Sequence, residues 1–311
     1  MAEGKRSAIP DVCLPSPDVR WTVEDKARVA AEIGAACRRG GYFFLRHHGV
    51  AADLLSAAYE ETRRFYRLPV DEKRKFNASA QSQFLGYRGL GREKSTAHTG
   101  SEACEQYRIG NIEGALDMPA SADFYHAPFT NGASLFRSLV RLGDTLLSAC
   151  TDDLGLGATG FDPFMTSPMH RLGFNFYGVA HGEQIANTVD YAMSPHVDLS
   201  LFTMLTQNEP GLEVKGSHGE WICVPPTHDA LFVFIGDYLQ RWTKGLYVAG
   251  KHRVRAVTAD RLSIQYKHRP GYATVVAPLS RFIGEANPAR YGPFDTGRQY
   301  ASHLRSLLGS G

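Results

Sequence analysis

Two periods of apolar residues divide the chain. Up to about residue 167 the spacing is mostly helical. Val29, Ile33, Ala36 and Cys37 recur at three- and four-residue intervals, which puts one stripe on a helix face. Thr22 is placed to cap that helix, acidic residues fill its first turn, and Gly40-Gly41 stop it. Tyr42-Phe-Phe-Leu45 then reads as a short buried strand. A second helix is expected from about Asp53 to Leu68, carrying Leu55, Tyr59 and Phe65 and ending before Pro69. From Asn77 to Ile112 the periodicity fades, and Gly86, Gly89, Gly91 and Gly100 predict a long loop region of the kind that often forms a lid. Leu135, Leu139, Leu142 and Leu146 make one stripe of an amphipathic helix, with Gly155 just past its end.

After about residue 168 the period changes to two. Met169-His-Arg-Leu-Gly-Phe-Asn-Phe-Tyr177 sets Leu172, Phe174 and Phe176 on one face and Arg171, Asn175 and Tyr177 on the other. Further strands are predicted over 201–206, 212–214, 221–224, 230–235 and 262–267, with a hairpin turn at Gly216-Ser-His-Gly219. Arg298 to Leu308 predicts one more helix. Closely spaced strands after a helical half indicate a mainly β fold with helices (α+β). Its core would be a jelly roll, or double-stranded β-helix, flanked by N-terminal helices and a C-terminal helix. No repeat or linker interrupts the chain, so 1–311 reads as one domain: a mainly helical part (1–167), the jelly-roll core (168–275) and a helical tail (276–311).

Composition adds exclusions. Of the 311 residues, 43% are hydrophobic and 21% charged, with a net charge of +2, as in an ordinary soluble globular protein. The basic residues are spread out, so neither nucleic acid nor a membrane surface is expected as a partner, and no obligate protein partner is evident. The first residues lack the apolar core of a signal peptide, and no apolar run approaches the roughly 20 residues of a membrane span. Five separated cysteines without a Cys-x-x-Cys suit a reduced cytoplasm. Arg outnumbers Lys 25 to 9, an association with GC-rich bacterial genomes.

The candidate chemistry starts at Tyr191-Ala-Met-Ser-Pro-His-Val-Asp-Leu-Ser-Leu-Phe-Thr-Met-Leu205, read as a turn running into an apolar strand. On a strand His196 and Asp198 would point to one face, making two-thirds of a 2-His-1-carboxylate triad. With 12 His and 17 Asp in 311 residues, chance alone gives about 0.7 His-x-Asp pairs, so a third ligand must corroborate this one. Among His218, His228, His252, His268 and His303, the first two lie in a turn and a loop, and His303 lies in the tail helix. His252 opens Lys251-His-Arg-Val-Arg, leading into the last strong strand, and is the choice. On that strand Arg261 and Ser263 share a face, where a guanidinium and a hydroxyl form a carboxylate-binding fork. Tyr177 could add a third donor.

These residues carry a family resemblance. The chain resembles the Fe(II)/2-oxoglutarate-dependent dioxygenases of the isopenicillin N synthase-like family. The matching segments, in order, are Ile9-Pro10 with Gly41-Tyr-Phe-Phe-Leu-Arg-His-His-Gly-Val50, Asn175-Phe-Tyr177, His196-Val-Asp198, Pro210-Gly-Leu-Glu-Val214 with Trp221, and Gly236-Asp237 with His252-Arg-Val and Arg261-Leu-Ser263. The resemblance implies that His196, Asp198 and His252 bind Fe(II), and that Arg261 and Ser263 anchor 2-oxoglutarate with Tyr177 as helper. It further implies a reaction with O2 that releases succinate and CO2 while oxidising a C–H bond of a small molecule, hydroxylation being the default and desaturation or cyclisation variants of it. Related halogenating enzymes have a small residue at the Asp198 position, which argues against halogenation here. Glu102-Ala-Cys-Glu-Gln-Tyr-Arg108 departs from the Asp-x-x-Glu-like stretch of plant members and puts a plant-type substrate in doubt.

For the substrate, Arg92, Tyr107 and Arg108 in the 84–108 stretch and Arg171 and Asn175 beside Tyr177 are candidate contacts. Arg92 or Arg108 would suit a substrate carboxylate. Three rivals stand beside the oxygenase reading. They are an oxidase like isopenicillin N synthase that uses no 2-oxoglutarate, a silent jelly-roll binding module, and a zinc hydrolase, which would have no use for the fork. Arginine excess and a varied lid suggest tailoring of a bacterial specialised metabolite, such as an antibiotic.

Overall fold

The structure, a computed structural model, describes residues 9–16, 18–79, 84–95, 100–110, 128–157, 159–184 and 190–308. Its larger sheet has eight strands, in the order β1 (Asp11–Cys13), β2 (Tyr42–Arg46), β10 (Ala230–Ile235), β7 (Phe202–Gln207), β12 (Arg261–His268), β5 (Arg171–Tyr177), β4 (Glu105–Gly110) and β3 (Gly86–Arg88). A smaller sheet runs β6 (Tyr191–His196), β11 (His252–Arg255), β8 (Leu212–Lys215) and β9 (Trp221–Cys223). A two-stranded pair, β13 (Val275–Val276) and β14 (Phe294–Asp295), lies apart from both. All pairings are antiparallel except β1 with β2. The helices are α1 (Val23–Arg39), α2 (Ala52–Tyr66), α3 (Val70–Arg74), α4 (Thr130–Asp153), α5 (His181–Gln184), α6 (Asp237–Trp242) and α7 (Thr296–Leu308).

Strand alternation explains the layering. Phe43 and Leu45 of β2, Leu231 and Val233 of β10, and Ile264 and Tyr266 of β12 join one apolar cluster with α1, α2 and α4. The intervening residues Tyr42, Phe44, Phe232 and Phe234 turn the other way and pack on Leu212, Val214 and Val254 of the smaller sheet. A strand apolar on both faces must be covered twice, and helices cover one face while the second sheet covers the other. Thr22 caps α1 as its sequence predicts: Thr22 Oγ1 accepts from the Asp25 amide and Asp25 Oδ2 from the Thr22 amide, both at 3.0 Å.

The 77–112 region is not a long loop. It supplies β3 and β4, and β4 pairs with β5 from Glu105↔Phe176 to Gly110↔Arg171. Its inward positions are polar (Gln106, Arg108), because they face the interior between the sheets, and this hides the alternation. The outward position Tyr107 meets Phe65 and Phe129, with ring centroids 5.2 and 4.8 Å away. The part before 168 therefore contributes four strands to the larger sheet, as well as helices.

Glu105 ties this strand to α3. Lys73 Nζ lies 2.6 Å from its Oε2, Tyr87 donates to the same oxygen, and both charged groups are buried. Burial alone would raise the Glu105 pKa, but hydrogen bonds from His181, Lys73 and Tyr87 outweigh it, so the carboxyl sits below its ordinary value. Glu105→Gln leaves the buried Lys73 ammonium without a counter-charge, which costs about 3–5 kcal/mol. A denaturant midpoint unchanged from wild type would contradict this assignment.

Among the described residues no helix is long and apolar enough to cross a membrane, and all five cysteines are free.

Candidate active site

His196 ends β6 and His252 begins β11, directly opposite each other in the antiparallel register. Their rings lie 4.3 Å apart between centroids. Asp198 follows in the turn that carries the chain from the smaller sheet to β7 in the larger. The expected strand with ligands at its start is thus two strands with a crossing between them. The turn, rather than strand alternation, brings the carboxylate to the imidazoles, and Leu199 belongs to that turn.

The hydrogen bonds fix what each ligand offers. His196 Nδ1 donates to the Ser194 carbonyl at 2.7 Å and His252 Nδ1 to the Gly250 carbonyl at 2.9 Å. A carbonyl can only accept, so each ring keeps a proton on Nδ1 and turns Nε2 inward, the orientation metal-binding histidines use. Burial, aided by His196, lowers the His252 pKa to about 3 and keeps that ring neutral. Asp198 is almost fully buried; burial alone would raise its pKa, yet Lys267 and the two histidines hold it well below the carboxylate range. Its Oδ1 lies 2.7 Å from Lys267 Nζ and 3.6 Å from His196 Nε2, while Thr203 donates to Oδ2. Burial opposes charge on His196, but the hydrogen bond and charge of Asp198 outweigh it and raise that pKa, so a metal ion would displace the proton from its Nε2. The two imidazoles and the ionised carboxylate, with ligand atoms within 4.8 Å of one another, fit a divalent iron with open positions.

Asp144, His170 and His268 form a second grouping on the other side of the larger sheet. There the Arg269 amide donates to His170 Nδ1 at 3.1 Å. The neutral ring must then carry its proton on Nε2, which removes that nitrogen as a ligand. The hydrogen-bond pattern separates the two groupings where residue types do not.

Arg261 and Ser263 project from one face of β12 and are both fully buried. The Arg261 guanidinium lies over the Tyr177 ring, 4.8 Å from its centroid, and donates to Gln207 Oε1 at 2.6 and 3.2 Å. Its Nη1 and the Ser263 hydroxyl have no partner among the described residues. An unmet buried donor costs about 1–3 kcal/mol, so two side by side mark an acceptor site, and an anionic carboxylate satisfies both. Tyr177, its pKa pushed up to about 12 by burial, keeps its proton and accepts from Asn175 Nδ2 at 3.2 Å. Asn175 Oδ1 accepts from Arg108 Nη1 at 2.6 Å, so a polar chain braces the fork from β4.

A cavity of ≈ 120 Å³ opens beside His196 and Asp198. Arg108 and Arg171 line it. Arg92 and Tyr107 do not reach it: Arg92 is exposed past β3, and alternation along β4 turns Tyr107 into the helix-side core. Asn175 supports Tyr177 without lining the cavity. Lining residues not named as substrate contacts from the sequence are Arg88, Lys267, Arg269, Tyr300 and His303. Lys267 was within reach of sequence reasoning, since the period that joins Arg261 to Ser263 continues through Gln265 to Lys267. His303, for which the tail helix offered no evident route, arrives because α7 lies against the cavity mouth.

Tyr300 is half-buried among cations. Burial alone would raise its pKa, but Arg269, Arg171, Arg88 and Lys267 outweigh that and hold the hydroxyl down to about 7, against an ordinary 10. One tyrosine should therefore gain phenolate absorbance within about a unit of pH 7, and Tyr300→Phe should abolish that step. Because the folded pKa is the lower one, this group's stability contribution grows as pH rises from about 7 to 10 and is lost as pH falls through 7.

Known proteins give the site its context. Residues 14–128 match the profile described as non-haem dioxygenase in morphine synthesis N-terminal, and residues 170–270 match that of the 2OG-Fe(II) oxygenase superfamily. A homoarginine-6-hydroxylase of Glycine max is 28% identical over 293 residues, covering 87% of this chain and 88% of the relative. A 2-oxoglutarate-Fe(II) type oxidoreductase of Metarhizium rileyi is 28% identical, covering 89% of this chain and 81% of the relative. Among solved structures, a full-length Neurospora crassa protein in complex with alpha-KG and thymine superposes with a TM-score of 0.81 at 21% identity, covering 96% of both chains.

Proposed function

Because the chain belongs to the Fe(II)/2-oxoglutarate-dependent dioxygenases of the isopenicillin N synthase-like family, we propose that it oxidises an unactivated C–H bond of a small molecule, by hydroxylation in the first instance, and releases succinate and CO2. It is an oxidoreductase that uses iron, 2-oxoglutarate and O2. When bound, iron and 2-oxoglutarate supply the oxidising power, through decarboxylation of the keto acid by O2. The protein's part is positional. His196, Asp198 and His252 hold the metal, with Nε2 of both rings presented by the Ser194 and Gly250 carbonyls. Arg261 and Ser263 hold the far carboxylate of 2-oxoglutarate, and Tyr177 adds its hydroxyl. Burial of the fork keeps water from competing for it, which strengthens each charged hydrogen bond.

The observation that carries this reading is the pair of unmet donors, Arg261 Nη1 and Ser263 Oγ, in a buried site next to the triad. The test is succinate formation from 2-oxoglutarate by the Fe(II)-loaded enzyme in air. O2 uptake that neither requires 2-oxoglutarate nor yields succinate would instead support an oxidase, and zinc retained through anaerobic purification would support a hydrolase. The carboxylate at Asp198 favours oxygenation over halogenation. The arginine-rich composition supports a role in tailoring a bacterial specialised metabolite, as a finer part of the same proposal.

A further inference from the structure

Resting on that reading, we propose that the substrate is a small organic acid whose carboxylate docks on Arg269 at the end of the cavity remote from the 2-oxoglutarate fork. The cavity touches His196, Asp198, Lys267 and Arg269 but neither Arg261 nor Ser263. Strand β12 explains the separation. Residues 261, 263, 265 and 267 share one face, and at ~3.4 Å per residue Ser263 and Arg269 lie roughly 20 Å apart along the chain. One end of this strand serves the co-substrate and the other faces the open cavity, with Asp198 held at Lys267 between them.

Charge identifies the occupant. Arg88, Arg108, Arg171 and Arg269 line the cavity and all are buried, together with Glu93 and the buried Glu102, whose carboxylate accepts from the Ser194 amide at 3.0 Å. Two of the cavity's cations are matched internally: Lys267 by Asp198 at 2.7 Å and Arg88 by Glu93 at 3.6 Å. Among the described residues no carboxylate lies within ion-pair distance (4.0 Å) of Arg108 or Arg269. Arg108 spends its donors on Gln106 and Asn175. Arg269 is only 1% exposed; its Nη2 reaches the Tyr238 hydroxyl at 3.2 Å, the Tyr300 ring lies 3.6 Å from its guanidinium carbon, and its Nε has no partner. Burial opposes its charge, but the Tyr238 and Tyr300 hydroxyls outweigh that and hold the guanidinium charged, while its unpartnered Nε and planar donor edge match a carboxylate. The Tyr300 phenol, shared among several cations, supplies at most one negative charge.

Size limits the choice. At ~10–15 Å³ per water-sized position, the ≈ 120 Å³ of free space holds roughly ten heavy atoms. A carboxylate at Arg269 leaves the remainder of such a molecule extending toward His196 and Asp198, where oxidation occurs. Tyr300 and His303 bring α7 over the same space, so the C-terminal helix becomes part of the substrate wall.

The test is anaerobic calorimetric titration of the enzyme loaded with Fe(II) and 2-oxoglutarate, using small carboxylic acids each paired with its primary amide, an uncharged near-isostere. The acids are expected to bind at least about tenfold more tightly than their amides, and Arg269→Gln to reduce that preference by a similar factor. The affinity for 2-oxoglutarate, measured on the same preparations, reports whether the variant is folded, and Arg269→Lys, which keeps the charge but loses the fork, should retain part of the preference. Equal binding of acids and amides, binding of neutral members alone, or no binding by either class overturns the proposal, as does an unchanged preference in a folded Arg269→Gln. Substrate-free succinate formation by the wild type tests the oxygenase reading separately, so failure of one is distinguishable from failure of the other.

Discussion

Asp198→Asn is expected to lower Fe(II) affinity more than ~100-fold and to reduce succinate formation to background. Outer-shell partners of metal ligands already contribute ~10–100-fold each, and Asp198 is the only charged member of the triad. The substitution has a second effect through Lys267, whose ammonium lies 2.7 Å from Asp198 Oδ1. With the carboxylate gone, that charge faces the ion unshielded. Unit charges about 4 Å apart interact by about 4 kcal/mol at an effective dielectric of 20, and 1.4 kcal/mol is already tenfold. The two contributions are separable, because Lys267→Met in the Asp198→Asn background should recover part of the lost affinity, and a double-mutant cycle measures how much. Metal stoichiometry after anaerobic reconstitution is the readout. Full iron occupancy in Asp198→Asn would remove Asp198 from the ligand set.

The same residues explain how much of the protein could be read beforehand. The helices α1 and α4 and the strands β5, β7, β10 and β12 carry strong periodic patterns, since each has an apolar face that one layer must cover. Strand β4 does not: Gln106 and Arg108 point into the polar interior, so its sequence resembles a loop until pairing with β5 reveals it. At the site, His196, His252, Arg261 and Ser263 are legible because motif spacing and strand period coincide. The turn between His196 and Phe202 is not, since local alternation says nothing about a chain crossing between sheets. Arg269 lies just beyond the end of β12, where strand period no longer applies, and Tyr300 and His303 belong to an element whose docking is purely tertiary. The triad and fork are thus mostly local in sequence, whereas the cavity wall draws on widely separated segments, among them Arg88, Arg108, Arg171, Lys267 with Arg269, and α7.

Arg261→Gln should raise the KM for 2-oxoglutarate by roughly 10²–10³-fold while leaving iron binding intact. A hydrogen bond to a charged group is worth about 1.5–3 kcal/mol, and the guanidinium can offer a carboxylate two; losing both costs about 3–4 kcal/mol after partial replacement by water or amide. Ser263→Ala removes one neutral donor and should cost nearer tenfold. Stability separates this role from a structural one. In the co-substrate-free protein Arg261 is a buried cation with an unmet Nη1, so its neutral replacement removes a desolvated charge at the expense of its bonds to Gln207 Oε1. The two effects oppose each other, and the Tm of Arg261→Gln without ligand should stay near that of the wild type. The difference appears on adding 2-oxoglutarate: a ligand at 100 times its Kd stabilises by about 2.7 kcal/mol, and a 10²–10³-fold weaker complex loses most of that. Thermal shift with and without 2-oxoglutarate, in the presence of Fe(II) and absence of O2, therefore distinguishes the cases. A variant that melts well below the wild type yet keeps its ligand-induced shift would make Arg261 a core support instead of the co-substrate anchor.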